Sequence, residues 1–245
     1  MRATAILSMP NCGSDWFSEC YAKVYNKSYF REYFNPVTNK KFEREISQAF
    51  GSEQVRNYKK IAHFDMQSCM SVMSSTWDTE SYDMTKENYS AFKVEFFYQK
   101  FNCICLLRDL ENSFPPGRLE VHNWYDAILL SMNENKKFLP AWAQACVEKA
   151  SESSDWDLAR GITFCVYRKI LKTSCLRMGV PILKYEHLMQ EVADVEKSLG
   201  FIEEEKRKNL VDLIFRTRKS ASLKKNVDFR NMVYEKINRF MIELN

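Results

Sequence analysis

The residues of this 245-residue chain best placed to do chemistry lie where a short apolar stretch, Ala3 to Ser8, gives way to Met9-Pro10-Asn11-Cys12-Gly13-Ser14-Asp15. Trp16, Phe17, Cys20, Tyr21 and Val24 follow at helical spacing, so the segment reads as strand, tight loop, helix. Such a loop turns several backbone N–H groups and the positive end of a helix dipole toward one point, which suits a phosphate or sulfate group. Gly13 permits close backbone approach, and Ser14 can donate a hydroxyl or cap the helix. The bland alternative is a plain turn with Ser14 or Asp15 as its cap. No GxxxxGK[ST] loop occurs, which argues against an ordinary ATPase or nucleotide kinase. A second anion-binding candidate, Arg108, ends the apolar run Asn102 to Leu107; the competing reading is a surface ion pair with Asp109 or Glu111.

Other chemistries find little support. The three histidines, His63, His122 and His187, have no ligand spacing, so a zinc enzyme is not expected. The eight cysteines form no CxxC pair and sit mostly among apolar residues, which points to buried free thiols. A formal net charge of +4 is too small to advertise a nucleic-acid binder. The basicity is local: Lys206 to Arg230 holds nine Lys/Arg against Asp212 and Asp228, so one end of the chain is built to meet an anion or simply to be soluble. No apolar run reaches the roughly 18 to 20 residues of a membrane span, and Thr4 to Met9 is shorter than a secretory core, so a cytoplasmic protein is expected.

The elements that must hold these residues read as α/β. Short strands are expected at Ala3 to Ser8, Ala91 to Val94, Asn102 to Leu107 and Val180 to Lys184. Helical faces run through Leu158, Ile162, Cys165, Val166 and Ile170, and through Phe229, Met232, Val233, Ile237, Phe240 and Met241. Strands alternating with helices imply a parallel sheet of about four or five strands, flanked by helices, with the first strand central. With no linker and only six glycines and six prolines, residues 1–245 read as one domain. Within it, residues 25–90 lack sustained periodicity, which suits either a cap that binds a substrate or a peripheral helical pair that covers the sheet.

Taken in order along the chain, four motifs resemble the sulfotransferase family, whose P-loop-like fold binds 3'-phosphoadenosine-5'-phosphosulfate (PAPS). The family loop, Pro-Lys/Arg-Ser-Gly-Thr/Ser-Thr/Ser-Trp, is matched by Pro10-Asn11-Cys12-Gly13-Ser14-Asp15-Trp16. Its strand ending in Arg-Asp/Asn-Pro is matched by Leu106-Leu107-Arg108-Asp109, its Tyr-Glu-Asp-Leu by Tyr185-Glu186-His187-Leu188, and its basic C-terminal loop by Arg216-Thr217-Arg218-Lys219-Ser220. The resemblance implies that Asn11, Cys12, Gly13, Ser14 and Asp15 surround the 5'-phosphosulfate and that Trp16 stacks on adenine near Tyr185. It implies that Arg108, helped by Arg218 and Lys219, grips the 3'-phosphate through charge-assisted hydrogen bonds.

The departures touch chemistry more than binding. Asn11 stands where the family has a cation at the bridging oxygen, a contact whose loss costs on the order of 3 kcal/mol of transition-state stabilisation. Asp15 replaces a hydroxyl and would repel a phosphate unless it faces outward as a first-turn acid. The helper serine of the family falls eight residues after the arginine; here Ser113 comes five after Arg108. Lys93-Val94-Glu95 aligns with the family's Lys-Thr-His, so Glu95, if screened from water, would serve as the base and Lys93 would partly supply the charge Asn11 lacks. The expected function is transfer of a sulfuryl group from PAPS, as co-substrate and without a metal, to a hydroxyl or amine acceptor. The alternative is a nucleotide-binding protein of the same fold that has lost its chemistry and acts as sensor or scaffold.

Overall fold

A computed structural model describes residues 2–9, 12–35, 38–51, 66–77, 81–88, 90–109, 128–129, 132–133, 136–218 and 235. Five strands, β1 (Thr4–Ser8), β2 (Tyr29–Arg31), β3 (Met84–Glu87), β4 (Asn102–Leu107) and β5 (Ile182–Lys184), form one sheet in the order β2-β3-β1-β4-β5. All four pairings are parallel, and β1 is central as expected. Every residue of β1 is buried, which is the signature of a strand covered on both faces.

The period-two alternation of β1 divides the core. Ala5 and Leu7 join a cluster with Phe97, Phe101, Cys105, Phe164 and Tyr167, whereas Ile6 faces Phe17, Leu106, Leu183, Leu210 and Ile214. The first face is covered by α4 (Val94–Lys100), α5 (Ala141–Glu152) and α6 (Trp156–Arg177), and the second by α1 (Ser14–Val24) and α9 (Glu204–Thr217). The helical stripe Ile162, Val166 and Ile170 lies within α6 and is buried, as its spacing predicts. The face predicted over Phe229 to Met241 lies outside the described residues.

One expectation needs correction. Ala91 to Val94 is not a strand: residues 91–93 are a turn that enters α4, because Val94, Phe96 and Phe97 bury at helical spacing. The strand is Met84–Glu87, whose polar sequence MTKE hides a fully buried element. Residues 25–90 contribute β2 and β3 to the central sheet, and among the described residues of that stretch α2 (Lys40–Phe50) and α3 (Met66–Thr76) pack on each other.

Short elements complete the edge near β5. Helix α7 (Tyr185–Leu188) begins directly where β5 ends, and α8 (Val192–Ser198) leads to α9.

Candidate functional site

In a parallel sheet all carboxyl ends lie along one edge, so the segments following β1, β2, β3, β4 and β5 are neighbours there. The chain leaves β1 toward β2 on one side and β4 toward β5 on the other, which opens a crevice between the ends of β1 and β4. Gly13 and Arg108 flank that crevice.

Gly13 is the N-cap of α1 in the left-handed conformation, φ 73° and ψ 14°. Having no side chain, it leaves the first-turn N–H groups of α1 to a ligand or to water. Its bare Cα is also needed for packing: a Cβ here would lie 2.3 Å from the Tyr185 ring. Tyr185, the first residue of α7, thus covers the loop. Trp16 meets its ring edge-on at 6.0 Å between centroids, and the Arg108 guanidinium lies 4.8 Å from its centroid. Gly13, Trp16, Arg108 and Tyr185, drawn from three separate motifs, therefore form one cluster.

The remaining candidates divide. The Cys12 side chain enters the core, where burial pushes its thiol up to about 11, so only its backbone is left to face an anion. Ser14 is buried, with its hydroxyl 3.5 Å from Asn88 Oδ1. Arg108 lies 3.9 Å from the Glu186 carboxylate, while the Asp109 N–H donates to both oxygens of that carboxylate; Glu111 lies outside the described residues. Arg218 donates to the carbonyls of Met189 and Gln190 and rests on the Phe215 ring, 3.7 Å away. It follows Thr217, whose hydroxyl accepts from Trp16 Nε1 at 3.0 Å, so the end of α9 is tied to the loop helix. Lys93 is buried at the N-cap of α4, whereas Glu95 is exposed on the first turn, without the screening from water that a base there would need. Pro10, Asn11, Ser113, Lys219, His63 and His122 lie outside the described residues.

Asp15 is not a free outward acid. Its carboxylate is paired with Lys86 at 2.8 Å and Arg31 at 2.9 Å, so its charge is opposed by two cations. Lys86, fully buried on β3, also holds Glu32 at 2.8 Å. Asn88 extends the network: its amide donates to Glu32 at 2.6 Å, while its Oδ1 accepts from Ser8 at 2.8 Å. Glu32 itself sits at φ 55°, in the left-handed region that side chains rarely adopt.

Comparison with known proteins finds no match: no family model, no curated protein and no solved structure is similar to this chain. The site is therefore read from its own geometry.

Sequence reasoning missed Glu32, Lys86, Glu87 and Asn88. Met84 to Asn88 looks like a solvated polar stretch, and its partners come from β2 and α1, far away in sequence. Glu87 is the most unusual of the four. Burial raises its carboxyl to about 7, against hydrogen bonds to Oε1 from Thr85 at 2.6 Å and from the Phe34 N–H at 3.2 Å.

Proposed function

We propose that this protein binds a 3'-phosphorylated adenine nucleotide in the crevice between β1 and β4 and transfers the sulfuryl group of PAPS to a hydroxyl or amine acceptor. The observation that carries the reading is the cluster at Gly13. A left-handed glycine opens a helix N-terminus at the topological switch point, Trp16 and Tyr185 are ranged over it, and Arg108 stands on the facing strand end.

Each part has a role. The first-turn N–H groups of α1 hold the 5'-phosphosulfate, with the helix dipole favouring the anion. Trp16 and Tyr185 offer aromatic surface to the base. Arg108, less than a quarter exposed, exchanges its long contact with Glu186 for the 3'-phosphate, a stronger charge-assisted partner. Displacement at sulfur is in line: the acceptor atom attacks, the bond to the bridging oxygen breaks, and adenosine 3',5'-bisphosphate leaves.

Calorimetric titration with adenosine 3',5'-bisphosphate, adenosine 5'-phosphate and ATP tests the reading. The bisphosphate should bind most tightly. Arg108→Ala should weaken it by about 2 kcal/mol while leaving adenosine 5'-phosphate nearly unaffected. Equal losses for both ligands would assign Arg108 a purely structural role, and no binding of the bisphosphate to the parent would sink the nucleotide reading. Tight binding with no transfer to any acceptor would favour the sensor or scaffold alternative, to which the missing cation at Asn11 points.

A further inference from the structure

Glu87 ends β3, the strand that pairs with β1, and lies directly opposite Leu7 in the register. The next residue, Asn88, reaches Ser8 at the end of β1 and Ser14 in the first turn of α1. The Glu87 backbone is thereby fixed beside the loop that carries Gly13.

Its carboxyl is held from one side only. Oε1 accepts from the Thr85 hydroxyl and the Phe34 N–H, whereas Oε2 accepts from no described residue. A carboxyl anchored through one oxygen keeps a fixed orientation and leaves the other oxygen for a proton. The charged groups acting on it are Glu32 from the end of β2, which disfavours the carboxylate, and Lys86 on the opposite face of β3, which favours it. Glu95, by contrast, is exposed on α4.

We propose that Glu87 is the general base of the transfer, its Oε2 taking the proton from the acceptor hydroxyl as the acceptor oxygen attacks sulfur. This rests on the sulfuryl-transfer reading above. The balance is complete: the acceptor O–H bond breaks, its electron pair forms the new O–S bond, the bond from sulfur to the bridging oxygen breaks, and the proton remains on Glu87 until solvent removes it. A group that burial has raised to about 7 is largely a carboxylate just above neutrality and basic enough to accept a proton there.

The test follows transfer from PAPS to a panel of simple phenols and alcohols across the pH range, using the full chain. The parent's turnover should rise with pH through about 7. Glu87→Gln should lower turnover by roughly a hundredfold or more, remove that inflection, and leave affinity for adenosine 3',5'-bisphosphate within about twofold. Glu87→Asp, which keeps the carboxyl but shortens its reach, should lower turnover while retaining an inflection; it covers the case in which the glutamine variant fails to fold. A Glu87→Gln protein with parental turnover and inflection would overturn the proposal, as would an inflection removed by Glu95→Gln instead. A parent that binds the bisphosphate but transfers to no acceptor would overturn the transfer reading, and this proposal with it. A parent that transfers while Glu87→Gln is indifferent would overturn this proposal alone.

Discussion

A methyl group on Gly13 would stand 2.3 Å from Cε2 and 2.6 Å from Cδ2 of Tyr185, at a residue whose φ is +73°. Two costs then combine: about 1–2 kcal/mol for an L-residue in the left-handed region, and about 1–3 kcal/mol for overpacking against an aromatic ring. Gly13→Ala should therefore lose about 3 kcal/mol in urea denaturation. Combining it with Tyr185→Ala should remove the clash and leave the backbone term, so the double variant should lose less than the two single losses added. A Gly13→Ala protein within about 0.5 kcal/mol of the parent would mean that the loop relaxes freely, and the close packing of Tyr185 on the glycine would lose its importance. The same contact explains why Tyr185, a weak match within a four-residue motif, belongs to the site at all.

Lys86 joins three elements. Its ammonium is fully buried on β3 and lies 2.8 Å from both Asp15 of α1 and Glu32 at the end of β2. Removing one member of a buried ionic cluster leaves the others uncompensated, typically at a cost of about 3 kcal/mol or more. Arg31 still reaches Asp15, so the damage from Lys86→Met should fall mainly on Glu32, which is the more buried of the two acids. We expect a loss of about 3 kcal/mol for Lys86→Met, measured by denaturant midpoint, with much of it recovered when Glu32→Gln is added. No recovery would mean that the lysine stabilises through the packing of its stem instead. The network also fixes α1 relative to the sheet, so it sets where the first-turn N–H groups point. In Lys86→Met, loss of bisphosphate affinity should accompany loss of stability.

For the molecule as a whole, Glu87 links stability to pH. Its folded value, raised from 4.5 to about 7, lies above its unfolded value, so between those limits the folded state holds a proton that the unfolded state has released. Stability contributed by the neutral carboxyl is complete below about 4.5 and is lost as pH rises through about 7, by about 3 kcal/mol in total. Glu87→Gln cannot release that proton. The gap between variant and parent should therefore widen in the variant's favour from pH 5 to about pH 8 in chemical denaturation, and an equal pH response in both proteins would remove the buried carboxyl from the account.

The sequence by itself determined the α/β class, a parallel sheet with a central first strand, β4 to the residue, and the strand–loop–helix at Gly13, because these rest on local apolar periodicity and on backbone demands that neighbouring residues satisfy. It also singled out Gly13, Trp16, Arg108 and Tyr185, while their direct packing on one another, with the Tyr185 ring against Gly13, came only from the tertiary structure. The polar heart of the site was illegible for a physical reason. Glu32, Lys86 and Glu87 can be buried only because each meets a partner on a segment distant in the chain, and pairing at long range leaves no periodicity to read. For the same reason the strand Met84–Glu87 went unread within a stretch without periodicity, while Ala91 to Val94, apolar enough for a strand, became the turn into a helix whose Phe96 and Phe97 the core claimed.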